Sequence, residues 1–518
     1  MYLTQGLHRC LQQTPERTAT VFRNRRQTFR QLGDRVARLA GALRQLGMAP
    51  GDRVSMLALN SDRYIEYMLS VWWGGGVLNP VNTRWSVPEI VYSLDDCDTG
   101  ILIVDDHFLP MVAGIMAGAR RKPLLIHAGD GPAPDGMLSY EQLVAGATPV
   151  DDALRGGEDL AAIMYTGGTT GKPKGVMQSH MNLWASAISR MAQYPCPEDT
   201  ITLHACPLFH TAAMAKAVTL FIAGATHALI PAFDAREVLE TMVSEKVNEI
   251  LLVPTMLQAV LSHPEFANHD LSGLQRINYG ASPISAGLLD AALAALPQVQ
   301  FYHAYGLTEA APVVSVNPPA NHGPEGRASG LYRSAGRPGY GVTVKIVDER
   351  GVEVPRNAVG EIVVRGPNVM QGYWNKPGET ADTLRGGWLH TGDGAYMDEN
   401  GYLFIVDRLK DMIVSGGENV YSAEVENVLS RHPAVASCAV IGVPDARWGE
   451  AVHAVVVLKP GTQVDEEGLR EHCRQFIAGY KCPKSIEFRG EMPLSAAGKI
   501  LKRDLRSPYW QDNTRQVN

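Results

Sequence analysis

At 518 residues the chain is too long for one core of ordinary size, so a large multi-lobed body with at least one smaller domain is expected. Apolar residues make up 45% and charged residues 19%, the composition of a globular enzyme. The 47 basic and 54 acidic side chains leave a formal net charge of −7, which gives no reason to expect nucleic acid or an anionic membrane as the main partner.

The opening stretch MYLTQGLHRCLQQTPERTATVF has no uninterrupted apolar segment of the kind a signal peptide needs. From Phe29 the apolar positions Leu32, Val36, Leu39, Leu43 and Leu46 recur at helical spacing, and Gly47 closes that helix before the strand-like RVSMLAL. A second helix near 61–72 leads into GVLNPVN. The alternation of helix and strand continues through ILIVDD, PLLIHAG, LAAIMYT, ATHALIPAF, EILLVPT and QFYHAYG, which reads as α/β with mainly parallel sheets. The longest apolar run, residues 250–260, is broken by Pro254, so no membrane span is readable. After about residue 325 turn-rich β segments follow (VTVKIVDERG, GEIVVRG, GYLFIVDR). From about 411 a small α+β pattern of its own appears, in SAEVENVLSRH, ASCAVIGVPD, AVHAVVVLKPG and EEGLREHCRQFI. A boundary is expected within residues 407–411, dividing the chain into 1–409 and 410–518. The seven cysteines form no CxxC pair, which argues against zinc and a disulfide scaffold and points to a reducing cytoplasm.

Directly after LAAIMY, residues 166–175 read TGGTTGKPKG, packing glycines, threonines and two lysines into one loop. Backbone N–H groups, hydroxyls and ammonium groups in such a loop suit a polyphosphate. A Walker A loop would need glycine at Thr166 and serine or threonine at Pro173, so that reading fails at both positions. The loop resembles the signature of the adenylate-forming family, which includes acyl-CoA synthetases, the adenylation domains of peptide synthetases and firefly luciferase. PLFHT (207–211), YGLTE (305–309), TGD (391–393), RLKDMIVSGG (408–417) and PLSAAGK (493–499) resemble its further elements, in the family's order. The resemblance lies nearest the acyl-CoA synthetase, fatty-acid–CoA ligase branch. It implies a large N-terminal body of parallel-rich sheets and a distorted β-barrel, plus a small mobile C-terminal α+β domain.

The resemblance implies a two-step reaction using ATP, Mg2+ and coenzyme A: a carboxylate attacks the α-phosphate of ATP to form an acyl-adenylate, and the acyl group then passes to the thiol. Glu309 is implied as the Mg2+ ligand and Thr308 as a contact to the α-phosphate. Thr166, Gly167, Gly168, Thr169, Thr170, Gly171, Lys172 and Lys174 would cover the β and γ phosphates, with Gly167 standing where serine is common. Gly280, Ala281, Ser282 and Pro283, with His303, Ala304, Tyr305 and Gly306, would wall the adenine slot. Asp393 would accept the ribose hydroxyls beside Arg408. Lys499 would serve adenylation, and rotation about Lys410 would then exchange it for Ser415, Gly416, Gly417 and Glu418 beside pantetheine. His210 would stand where acyl pocket and thiol tunnel meet.

Some relatives carry a basic residue at the positions of Ala232 and Val414, so Arg447 or Lys481 is the candidate grip on the coenzyme A nucleotide. The acyl pocket is assigned to Met214, Val253, Thr255, Tyr279, Leu307 and Ala311, with Gly280 and Gly306. These are small or apolar, with no arginine or lysine to hold a second carboxylate. The expected substrate is a medium- or long-chain fatty acid, the alternatives being an arylpropenoate such as ferulate or a stand-alone enzyme loading a carrier protein. The expected assembly is a monomer or homodimer.

Overall fold

The structure, a computed structural model, describes residues 1–166, 173–282, 284–416, 418–445, 447–495 and 498–510, with the backbone alone at Lys410. Gly167, Gly168, Thr169, Thr170, Gly171, Lys172, Pro283 and Gly417 therefore lie outside the described residues, as does the Lys410 side chain.

The helix anticipated from Phe29 spans Phe29–Gln45, and Thr28 opens it with a capping box closed by Gln31. Its buried positions include Leu32, Val36, Leu39 and Leu43, the stripe that the apolar spacing marks. Among the described residues the strands form four sheets. In the eight-stranded one, parallel strands run from Val77–Pro80 to Leu138–Ser139. Leu160–Thr166 joins Val77–Pro80 in parallel and pairs antiparallel with Lys174–Ser179, Thr166 opposite Lys174. The nine-stranded sheet has a parallel centre that includes Ile201–His204, Glu249–Leu252, Arg276–Gly280 and Gln300–Gly306. These strands mix apolar residues with buried polar ones, among them Thr202, Glu249, Arg276 and Asn278.

Thr343–Val347, Gly360–Arg365, Leu389–Met397 and Leu403–Arg408 make a four-stranded antiparallel sheet where a distorted barrel is expected. Its order is open, and a single bridge between Gly336 and Leu403 ties it to the edge of the nine-stranded sheet. The fourth sheet gathers Ile413–Ser415, Glu418–Val420, Val435–Asp445, Gly449–Leu458 and Ser485–Phe488 around its own apolar core of Ile413, Val425, Val440, Val452, Leu469 and Ile486. Among the described residues no helix is long and apolar enough to cross a membrane.

Candidate active site

The C-terminal ends of the parallel strands of the nine-stranded sheet open on one cavity, the usual place for a ligand in such a sheet. It encloses about 840 Å³ of space, part of it open to solvent. Lys499, His210, Thr308, Gly280, Ala281, Ala304, Tyr305, Gly306, Val253, Tyr279 and Leu307 all line it, drawn from segments as distant as 210 and 499. Two glycines make the close approach of backbone possible. A Cβ on Gly280, at φ +157, would stand 2.1 Å from the Ala304 carbonyl oxygen, and one on Gly306 would stand 1.7 Å from that of Pro312.

Lys499 lies in a tight loop. The Ser495 N–H donates to the Lys499 carbonyl (2.7 Å), and the Thr255 hydroxyl fixes the loop from the larger body by donating to the Gly498 carbonyl (2.8 Å). Burial, reinforced by the Arg408 charge and opposed by Asp393 and Glu309, pushes the Lys499 ammonium down to about 8. His210 precedes the helix Thr211–Ala223. Burial and then Lys499 push its imidazole down to about 3, so it is neutral at ordinary pH.

Asp393 and Arg408 face each other across adjacent antiparallel strands, Arg408 Nε standing 2.8 Å from the Asp393 carboxylate. The other Asp393 oxygen accepts the Tyr305 hydroxyl at 2.7 Å, which leaves lone pairs on a buried carboxylate for a further donor. Thr308 begins a 3-10 turn, Thr308–Ala310, held where the Gln178 amide donates to the Thr308 carbonyl (2.7 Å). Glu309 accepts the Tyr373 hydroxyl (2.9 Å), and Lys174 Nζ stands 5.0 Å over the Tyr373 ring, linking the end of the glycine-rich loop to this carboxylate. One carboxylate so placed is the usual protein share of a Mg2+ site completed by phosphates, so Glu309 fits that ion.

Tyr279 stacks on His303 (4.9 Å between centroids, 5° between planes) and its hydroxyl donates to His322 Nε2 (2.7 Å). His322 Nδ1 donates in turn to the Pro318 carbonyl (3.0 Å), which fixes the tautomer. His303 anchors to the Ser334 carbonyl (3.1 Å) behind that wall.

Several anticipated residues do not line the cavity. Met214 is buried inside its helix, the Thr255 hydroxyl is engaged with Gly498, and Ala311 is a buried residue in left-handed backbone that ends the Thr308 turn. Ser282 and Thr166 also lie outside the lining. Ser415, Gly416 and Glu418 stand in a separate hairpin, where the Gly416 N–H donates to the Trp448 carbonyl (2.8 Å). Lys481 is engaged with Glu424 at 2.8 Å, while Arg447 lies 4.6 Å over the Trp448 ring.

One expectation is overturned. Arg190, from the helix His180–Gln193, lines the cavity together with Asn278, so the pocket does hold a basic side chain. Lys216, Glu249 and Arg276 are buried beyond it. Their sequence signal is a charge inside an apolar run, as in AAMAKAVTLFI and NEILLVP, and it shows only once the strands are in register.

The family model for AMP-binding enzymes matches residues 7–374, and that for their C-terminal domain matches residues 424–499. The chain belongs to the AMP-binding, adenylate-forming enzyme family. A feruloyl-CoA synthase of an Amycolatopsis species is 41% identical over 501 residues, covering 96% of each chain. A fatty acid–[acyl-carrier-protein] ligase of Streptomyces coeruleorubidus is 38% identical over 511 residues, 98% of this chain and 96% of the other. The crystal structure of an anthranilate CoA ligase in complex with anthranoyl-AMP superposes with a TM-score of 0.91 at 30% identity, covering 98% of this chain and 97% of that one. This adenylate-forming enzyme is an AMP-forming acid–thiol ligase, with ATP, a carboxylic acid and coenzyme A as substrates.

Proposed function

We propose that the acid is aryl, of the arylpropenoate kind, rather than a medium- or long-chain fatty acid. The observation that carries this reading is the lining of the cavity: Val253, Leu251 and Ala213 are followed by Asn278 and Arg190. An alkyl tail would set its terminal methyl against an amide and a guanidinium, stripping both of water with nothing in exchange. A flat ring suits the space left beside the Gly280 and Gly306 backbones.

In the first step a carboxylate oxygen attacks the α-phosphorus, and the bond from that phosphorus to the leaving pyrophosphate breaks. Lys499 neutralises the charge that gathers on the α-phosphate, with Thr308 donating beside it. Residues 166–172 and Lys174 cover the outgoing phosphates, and Glu309 holds Mg2+, which supplies further neutralisation when bound. Asp393 accepts the ribose hydroxyls beside Arg408. Gly280, Ala281, Ser282, Pro283, His303, Ala304, Tyr305 and Gly306 wall the adenine slot.

In the second step the C-terminal body, residues 410–518, rotates about Lys410. Lys499 leaves, and Ser415, Gly416, Gly417 and Glu418 arrive beside the pantetheine arm. The coenzyme A sulfur attacks the acyl carbonyl and AMP departs, while neutral His210 holds the carbonyl in place.

Isotope exchange between pyrophosphate and ATP tests the first step. It should require the acid but not coenzyme A, and adding coenzyme A should release AMP and a thioester. Exclusive release of ADP overturns the reading, and exchange with fatty acids alone overturns its choice of acid.

A further inference from the structure

Side chains two residues apart on a strand share a face, and the register of the two central strands ranks that face by depth. Nearest Lys499 stands Val253, against whose side chain Gly498 packs. The next row is Leu251 opposite Asn278, roughly 7 Å deeper by strand geometry. The row below is Glu249 opposite Arg276. Lys216 pairs with Glu249 from the covering helix, and Arg276 stands 3.5 Å from the same carboxylate while donating to Thr200 Oγ1 (3.1 Å). One carboxylate is thus shared by two cations.

Arg190 is a third buried cation, 5% exposed, and it shares the Tyr194 ring with Lys216. Among the described residues its guanidinium donates to no side chain or carbonyl, and its Nε and Nη2 are buried without partners. It stands 5.6 Å from the centre of the Tyr194 ring. It also lines the cavity. A guanidinium held out of water without an acceptor is a costly arrangement unless a ligand completes it.

We infer that Arg190 is the specificity-determining residue at the deep end of the acyl cavity, binding an oxygen acceptor that the acid carries remote from its carboxylate. The planar fork of an arginine suits two neighbouring oxygens, as in a hydroxy-methoxy ring or a second carboxylate, and Asn278 offers an amide in the lining of the same cavity. This rests on the reading that the cavity takes the acyl group. It selects acids that end in oxygen over those that end in hydrocarbon.

The test is acid-dependent pyrophosphate exchange by the full chain, without coenzyme A, on two matched pairs: ferulic against cinnamic acid, and octanedioic against octanoic acid. The wild type should favour the oxygen-bearing member of at least one pair by roughly 10²-fold or more in kcat/KM, since a site built around polar groups rejects the analogue that leaves them unpaired. Arg190→Met should bring that ratio to within about threefold of unity through a higher KM for the oxygenated acid, with exchange on its partner retained. Arg190→Lys keeps the charge but loses the fork, and should lower the ratio by about tenfold. Ratios near one in the wild type for both pairs overturn the proposal while leaving the adenylation reading intact. So does a wild-type ratio that survives in both variants. No exchange with any of the four acids overturns the proposed choice of acid, and the proposal with it. The pair that shows the preference distinguishes a ring oxygen from a carboxylate.

Discussion

The role proposed for Lys499 places the most demanding requirement on a single side chain, since it needs charge in a cavity whose burial works against that charge. With its ammonium pushed down to about 8, it is protonated below that pH and neutral above it. Acid-dependent exchange, read as kcat/KM of the free enzyme, should therefore fall as pH rises through about 8. Thioester formation from supplied acyl-adenylate should lack that limb, and measuring both half-reactions from pH 6.5 to 9.5 checks it. A shared limb, or none, contradicts the assignment. His210 gives no competing limb in this range, because its imidazole is already neutral well below it. Arg190 marks the limit of residue-level reading. Its identity is plain in SRMAQY, but nothing in that stretch says that its helix lies over the acyl cavity.

Among the elements, the short turn Leu409–Asp411 joins the last strand of the antiparallel sheet to the first strand of the C-terminal sheet. Hydrogen bonds bridge its two sides. Gln258 donates to the Ala436 carbonyl (2.9 Å), Thr255 to Gly498 (2.8 Å) and Arg84 to the Leu494 carbonyl (3.4 Å). The Asp407 carboxylate accepts the Ser422 N–H and hydroxyl at 2.6 Å each, pinning the start of the next helix close to the turn. A hinge here needs one or two residues to absorb the change in backbone angles. Lys410→Pro, which restricts φ, should keep acid-dependent pyrophosphate exchange within about threefold yet lose most thioester formation from supplied acyl-adenylate. Retained exchange is the control for folding, and wild-type turnover of coenzyme A by the variant would place the rotation elsewhere. The helices and strands themselves are legible where periodicity is strong, as in Phe29–Gln45 or the long pair Val435–Asp445 and Gly449–Leu458. What periodicity does not carry is closure. The antiparallel sheet meets the nine-stranded sheet through the Gly336 to Leu403 bridge, the Tyr305 to Asp393 hydrogen bond and a shared apolar cluster of Val314, Ile362, Val364 and Leu403, and such pairing between remote segments leaves no local trace.

For the whole molecule, the buried imidazoles set the acid limit of stability. Burial pushes His180 and His322 down to about 4 and His204 to about 3. His204 Nε2 lies 3.1 Å from His227 Nδ1, so a second proton on that pair has no acceptor. Each group has a folded pKa below its unfolded value, so its contribution is full above about 6.5 and is lost as pH falls toward the folded value. Each should cost on the order of 1–2 kcal/mol between pH 7 and pH 5. Thermal midpoints should drop accordingly over that interval, and a flat midpoint would mean that these imidazoles do not set the limit. The order of motifs from 166 to 499 makes the family readable, because each motif keeps a local pattern. The acyl pocket was only half legible, since Leu251, Asn278 and Arg190 meet through strand register and helix packing alone. In the proposed mechanism the cavity containing Lys499 is the adenylation geometry, and a different geometry makes the thioester. Single-turnover measurement of both half-reactions in Lys499→Ala tests it most directly. Acyl-adenylate formation should slow by roughly 10²–10³ while thioester formation from synthetic acyl-adenylate proceeds at the wild-type rate; equal loss in both, or loss in neither, would contradict it.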